Sequence, residues 1–219
     1  MKRLFIGVPV APAVGQSLAA AAETLARRAR GAGLTPRWVA PANYHVTLAF
    51  LGATRPEAVG AVRARLSEVA ASGQRFRFRA ARLGGFPSLA AADVLWAGVE
   101  DPSGELARLA DAVAVAMADL GFRRDPRPYH PHVTVARLRP PSDLSEVALP
   151  VSEQVFGETR CDTLVLFDSV TNSNGSAYRV EAVAPLGTPK TAPERQSEPV
   201  QTAPLDASHG SDDGWDRTP

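Results

Sequence analysis

One cysteine, Cys161, in 219 residues excludes an intramolecular disulfide framework and a thiolate-built metal site, and fits a reducing cytosol. No apolar run approaches the length of a membrane span, and after Met1-Lys2-Arg3 only a short apolar stretch reaches Val10. The expectation is a cytoplasmic protein with neither an export signal nor a membrane segment. Nor does one sign of charge dominate: Lys and Arg total 24, Asp and Glu 23, a net charge of +1 that offers no whole-chain argument for a polyanionic partner. Histidine is scarce, with four in the chain. What is abundant is apolar surface, 45% of residues, over a length sufficient for one domain or two small lobes with a real core.

The near-neutral balance is uneven along the chain. From Thr188 to Pro219 there are five prolines, many Ser, Thr and Asp residues and few apolar ones, a composition that cannot bury enough surface to offset the entropy of ordering. Residues 188–219 are therefore expected to be a disordered extension and residues 1–187 the folded unit. The extension holds Lys190, Arg195 and Arg217 against six acidic residues, so the remaining body carries a net charge of +4, almost all of it from arginine. Arginine suits bidentate phosphate contacts, although an Ala- and Arg-rich, Lys-poor chain equally reflects base composition.

Hydrophobic periodicity gives the order of elements. Leu4 to Val8 reads as a buried strand ended by prolines, and Val14, Leu18, Ala21, Leu25 and Ala29 form the stripe of a helix from Pro12 to about Arg30, stopped by Gly31. Arg37-Trp38-Val39 and His45 to Phe50 read as strands. A second helix carries Val59, Val62, Leu66 and Val69 after the capping-box spacing of Thr54-Arg55-Pro56-Glu57. Phe76 to Leu83 alternates as a strand, Gly84-Gly85 reads as a turn, and Val94 to Val99 is another strand. Leu106, Leu109, Val113, Met117 and Leu120 mark a third helix closed by Gly121. Strands at His132 to Arg137, Thr163 to Phe167 and Ala177 to Ala184 follow, the last two joined by a turn at Asn172 to Gly175. Several strands are adjacent without the alternation of a doubly wound sheet, so the fold class is α+β with mainly antiparallel sheets.

Two of the three histidines in the body occupy the same frame: His45-Val46-Thr47-Leu48 and His132-Val133-Thr134-Val135. Composition alone predicts roughly 0.04 such matches, so chance is a poor explanation for two. In a strand, His and Thr share one face while the apolar residues between and after them anchor the other. If the copies are related by a pseudo-two-fold, the two pairs face each other across a cleft. One neutral and one protonated imidazole supply a general base and a general acid, and two hydroxyls can hold non-bridging phosphate oxygens, a set suited to displacement at a phosphodiester. Two histidines without a carboxylate or thiolate cluster make a poor divalent site, so no metal and no cofactor is expected. His130 is interrupted from His132 by Pro131 and reads as a structural or rim residue; His209 lies in the tail.

These motifs, with Arg3-Leu4-Phe5-Ile6, Arg37-Trp38-Val39, Phe50-Leu51-Gly52, Gly85-Phe86-Pro87, Leu95 to Val99, Arg127-Pro128-Tyr129 and the run Pro131 to Arg137, resemble the two-histidine (2H) phosphoesterase superfamily. Within it the match is to the RNA 2',3'-cyclic phosphodiesterases, historically called bacterial 2'-5' RNA ligases. The resemblance spans residues 1–187. It implies a bilobal fold with a central cleft between two pseudo-symmetric lobes, helices outside, and metal-independent hydrolysis of RNA 2',3'-cyclic phosphate ends to 2'-phosphomonoesters. It further implies His45 as the acid on the leaving 3'-oxygen, His132 as the base on water, and Thr47 and Thr134 as phosphate ligands. Arg137 matches the family's arginine after the second motif, although simple strand parity turns it away from His132 unless the strand bulges. Trp38 and Tyr129 are candidates for stacking on a base, core packing being the more frequent fate of a strand aromatic. The expected partners are RNA termini bearing a cyclic phosphate, tRNA fragments among them, or small cyclic nucleotides, acted on by a monomer. Two alternatives stand beside hydrolysis: reversible 2'-5' ligation through the same transition state, and a non-catalytic module that binds RNA ends.

Overall fold

The computed structural model describes residues 1–172 and 175–187, so the expected extension at 188–219 and the centre of the turn at 172–175 lie outside the described residues. Among the described residues nine strands form one antiparallel sheet: β1 (Lys2–Pro9), β2 (Arg37–Trp38), β3 (His45–Thr54), β4 (Phe76–Phe86), β5 (Ala92–Glu100), β6 (His132–Ser142), β7 (Val155–Cys161), β8 (Thr163–Asn172) and β9 (Gly175–Pro185). The helices are α1 (Pro12–Gly31), α2 (Val59–Ser72), α3 (Glu105–Ala118) and the single turn α4 (Ser145–Ala148). The strand order is β7-β4-β5-β6-β3-β1-β8-β9, with β2 also on β6. The architecture is the expected α+β, bilobal arrangement, one lobe grouped on β3 and the other on β6. The lobes are not the two halves of the sequence. β4, which follows α2, crosses over to pair with β5, and β8 returns to pair with β1, carrying β9 on its outer edge.

Strand alternation explains which side is covered. Leu4, Ile6 and Val8 of β1 and Leu164 and Leu166 of β8 are buried with Leu18 and Leu25 of α1, Leu66 of α2 and Leu106 and Met117 of α3 in one continuous core. Phe5, Val165 and Phe167, at the intervening positions, form a second small cluster with Tyr178 on the opposite face. Burying a residue of leucine size contributes about 1.5–3 kcal/mol, so the helix-covered face carries most of the stability, while the smaller cluster gives the open face a local rigid patch.

Several local expectations change. Gly31 lies inside α1; the helix is stopped instead by Gly33, whose φ of 72° lets its own N–H reach Arg30 O and the next N–H, of Leu34, reach Ala29 O. The capping box before α2 does not form, because Thr54 ends β3 buried and donates its hydroxyl to Gly52 O. β7 and α4 had no strong periodic signal. Gly84-Gly85 is not a turn: β4 runs through it to Phe86, and the chain reverses after Pro87. The glycine at 84 serves a close approach, since Gly84 lies opposite Trp96 and a Cβ there would overlap the indole ring. Gly84→Ala is expected to displace Trp96 and lower stability by about 1–3 kcal/mol in urea denaturation, the range for overpacking; an unchanged midpoint would contradict this packing.

Candidate active site

The site is built at one contact between the lobes. β3 and β6 pair antiparallel at a single position, Val46 opposite Val133. Both valines are fully buried on the helix side. Their neighbours in each strand therefore face the other way, and continuing the register by one residue sets Thr134 opposite His45 and His132 opposite Thr47. The two imidazoles occupy diagonal corners of a four-residue square, with the hydroxyls at the other corners. Diagonal neighbours across such a seam are about 7–8 Å apart, a gap that one phosphate group can fill.

Each imidazole is held the same way. His45 Nδ1 lies 2.6 Å from Asn43 O and His132 Nδ1 lies 2.7 Å from His130 O. A carbonyl only accepts, so both Nδ1 atoms carry the proton and both Nε2 atoms turn their lone pairs to the cleft. In the neutral form of His45, Thr47 Oγ1 donates to Nε2 at 3.0 Å. The walls differ. Phe5, Tyr178 and Phe167 have ring centroids 4.8, 5.3 and 5.8 Å from His45. Around His132, Phe86 stands edge-on at 5.0 Å and His130 and Trp96 lie at 6.2 and 6.3 Å.

Burial among these rings disfavours the imidazolium. It lowers the His45 pKa to about 4, helped by the positive charges of His132 and Arg137 and opposed by the bond to Asn43 O. The His132 pKa is lowered for the same leading reason, with His130 and Arg137 contributing. Both imidazoles are therefore neutral in the free protein at neutral pH, and an anion between them is what would favour a proton.

Arg137 reaches this face through a bulge. The β5–β6 register slips between Leu95 and Trp96, whose partners are Ala136 and Thr134, and Val135 and Ala136 are both buried. The extra residue reverses parity, so Arg137 emerges exposed on the face of His132 and Thr134. β3 repeats the device. Its pairing with β1 slips from Thr47 to Ala49 across Leu48, which makes Phe50 the counterpart of Arg137. Phe50 is 65% exposed and its ring lies 5.9 Å from Phe5. Composition gave no sign of Phe50; the repeated frame, extended to the sixth residue of each strand, would have found it.

The two stacking candidates lie elsewhere. Tyr129 is partly buried against the core, with its hydroxyl donating to Thr47 O at 3.2 Å and its ionisation pushed up by burial, so it braces the first motif from behind. Trp38 packs on the core beside Leu34 and, with Ala26, Arg30, Thr35 and Pro36, lines a groove of about 300 Å³ under the end of α1. Among the described residues no three His, Cys, Asp or Glu side chains form a group able to hold a metal ion, and no helix is long and apolar enough to cross a membrane.

Residues 15–172 match the sequence profile of the 2'-5' RNA ligase superfamily. The chain is 35% identical over 142 residues to a protein of Archaeoglobus fulgidus named RNA 2',3'-cyclic phosphodiesterase, covering 64% of this chain and 78% of that relative. The crystal structure of TT0787 of Thermus thermophilus superimposes with a TM-score of 0.72 at 26% identity, over 86% of this chain and all of that one. Escherichia coli LigT complexed with 3'-AMP superimposes with a TM-score of 0.66 at 23% identity, over 84% and 98% of the two chains, a likeness of fold.

The close packing behind His45 yields a test. A Cβ on Gly7 would stand 2.7 Å from Val46 O and 3.2 Å from His45 Cδ2. Backbone cannot yield there as a flexible side chain would, so Gly7→Ala should cost about 1–3 kcal/mol of stability and shift the His45 ring resonances in an NMR spectrum while leaving those of His132 in place. Equal disturbance of both rings would contradict the geometry.

Proposed function

The chain belongs to the 2'-5' RNA ligase superfamily, and on that footing we propose that it hydrolyses RNA ends bearing a 2',3'-cyclic phosphate to 2'-phosphomonoesters, with residues 1–187 as the acting unit. The observation that carries this reading is the Val46–Val133 pairing, which puts His45, Thr47, His132 and Thr134 on one face, with each imidazole held at Nδ1 by a backbone carbonyl so that Nε2 is the atom left to a substrate. The relatives' shared name agrees with it.

In the reaction, the cyclic phosphate sits between the motifs with its non-bridging oxygens on Thr47 and Thr134 and its negative charge facing Arg137. Thr47 then leaves His45 Nε2, which takes up a proton favoured by the bound anion. A water oxygen attacks phosphorus and its proton passes to His132 Nε2. The P–O3' bond breaks as His45 Nε2–H delivers its proton to the leaving 3'-oxygen. One P–O bond forms, one breaks, and solvent returns the extra proton from His132 to His45. The threonine hydroxyls and the guanidinium stabilise the charge that builds on the phosphoryl oxygens. Because this set already supplies acid, base and charge stabilisation, the reaction needs no metal. The terminal base is received by the exposed ring of Phe50 beside Phe5 and Tyr178, a π-surface open to any base and placed next to His45.

With a short RNA ending in a 2',3'-cyclic phosphate, the product should be the 2'-monoester by mass and phosphatase sensitivity, at an unchanged rate in excess chelator. His45→Ala and His132→Ala should each lower kcat/KM by about 10²–10⁴-fold, and Thr47→Val or Thr134→Val by about 10²-fold, without loss of folding. A 3'-monoester product, metal dependence, or full activity in either histidine variant would refute the reading. The working free enzyme carries one proton on the pair. Both imidazole pKa values lie below 6.5, His45 at about 4, so kcat/KM should peak on the acid side of 6.5 and fall as pH rises past it. The kcat profile, which reports the anion-bound complex, should be displaced to higher pH. A kcat/KM flat from about pH 5 to about pH 8 would contradict the assignment.

A further inference from the structure

The edge of β6 that β3 leaves after Val133 is taken by β2. Arg37 pairs directly with Arg137 and Trp38 with Ala136, and Val39 N donates to Val135 O at 2.9 Å. Ala136 is buried and Trp38 packs on the core, so the two arginines, one residue along, both stand on the cleft face, and both are exposed. Arg139, two residues beyond Arg137 with buried Leu138 between them, is exposed on the same face. Two like charges directly opposite in an antiparallel pair repel one another. Among the described residues no carboxylate lies within 4.0 Å of Arg37, Arg137 or Arg139, whereas Arg77, Arg79 and Arg82 of β4 each have one. The inner end of this cluster is the guanidinium that acts on both histidines. Its outer member is displaced along the strand by about 6.6–7 Å, comparable to one repeat of an extended nucleic-acid backbone.

We propose that Arg37 and Arg139 form a second anion subsite, continuous with Arg137, that holds the backbone phosphate preceding the terminal nucleotide. The substrate class is then an oligonucleotide end rather than a free cyclic mononucleotide. This rests on the cyclic-phosphodiesterase reading and adds to it the direction in which the RNA leaves the site. The repulsion that the free protein tolerates across β2 and β6 is what the incoming phosphate relieves, and guanidinium groups are the side chains suited to bidentate contact with it.

The test compares adenosine 2',3'-cyclic phosphate, which has no second phosphate, with a dinucleotide ending in the same cyclic phosphate. The wild-type kcat/KM should be at least about tenfold higher for the dinucleotide, a factor that one charge-assisted contact can supply. Arg37→Gln and Arg139→Gln should each remove most of that advantage and change kcat/KM for the cyclic mononucleotide by less than about twofold, and the salt dependence of the dinucleotide reaction should flatten. Both variants should unfold at the same or a higher temperature, since each removes a repulsion; a merely structural Arg37 would lower it. Equal use of the two substrates by the wild type, or an unchanged preference in both variants, overturns the proposal. Should the wild type cleave neither substrate, the cyclic-phosphodiesterase reading falls, and binding of a 2'-phosphorylated dinucleotide then decides the subsite: about tenfold weaker binding in the variants upholds it, and equal binding overturns it.

Discussion

One backbone contact, Val46 against Val133, fixes the arrangement on which the rest depends. The lobes meet there in a single antiparallel register point, and the two valine side chains are drawn into the helix-covered core. A strand has only two faces, so burying the valines leaves His45, Thr47, His132 and Thr134 no choice but the open side. A slip of one residue in either strand would bury that strand's imidazole and expose its valine. Past the seam the same edge of β6 is taken by β2, at Ala136 and Arg137, which bounds the pairing of β3 with β6.

How much of this is legible in the sequence follows from that logic. The repeated His-x-Thr frame could be placed on one face because period-two alternation is a local property of a strand. The expected cleft follows from the repetition of that frame, and the α+β class from strands adjacent in sequence. Alternation fails at a bulge, and neither Leu48 nor Val135 differs in character from an ordinary strand residue, so parity alone misdirects Arg137 and Phe50 escapes notice until the register is known. Glycine fails as a turn signal for a related reason: Gly84 is demanded by the indole of Trp96 on the neighbouring strand, not by its own turn. Tyr129 and Trp38 show the same dependence on tertiary context, since their rings are taken by the core and by the space under α1. β7 includes Gly157 at a φ of 124°, which breaks the strand signal.

The electrostatics of the body follow one plan. Aromatic walls keep both imidazoles neutral until an anion arrives, and the arginines on β6 and β2 set a positive field where that anion must enter. The lobes share the backbone device that orients each imidazole, a carbonyl two residues upstream, and differ in what surrounds it. Phenylalanine and tyrosine rings flank His45, and Phe86, Trp96 and His130 flank His132. On the proposed reading, that asymmetry is what lets two equivalent motifs carry different protonation states on one substrate.

The central claim is that both imidazoles serve a single phosphate. The most direct measurement is an NMR titration of the His45 and His132 ring resonances with and without a bound nucleoside 2'-monophosphate. The account predicts that both pKa values rise together on binding, with Nε2 of each ring becoming the protonated, hydrogen-bonded atom. A rise confined to one ring, with the other unmoved by the ligand, would contradict it.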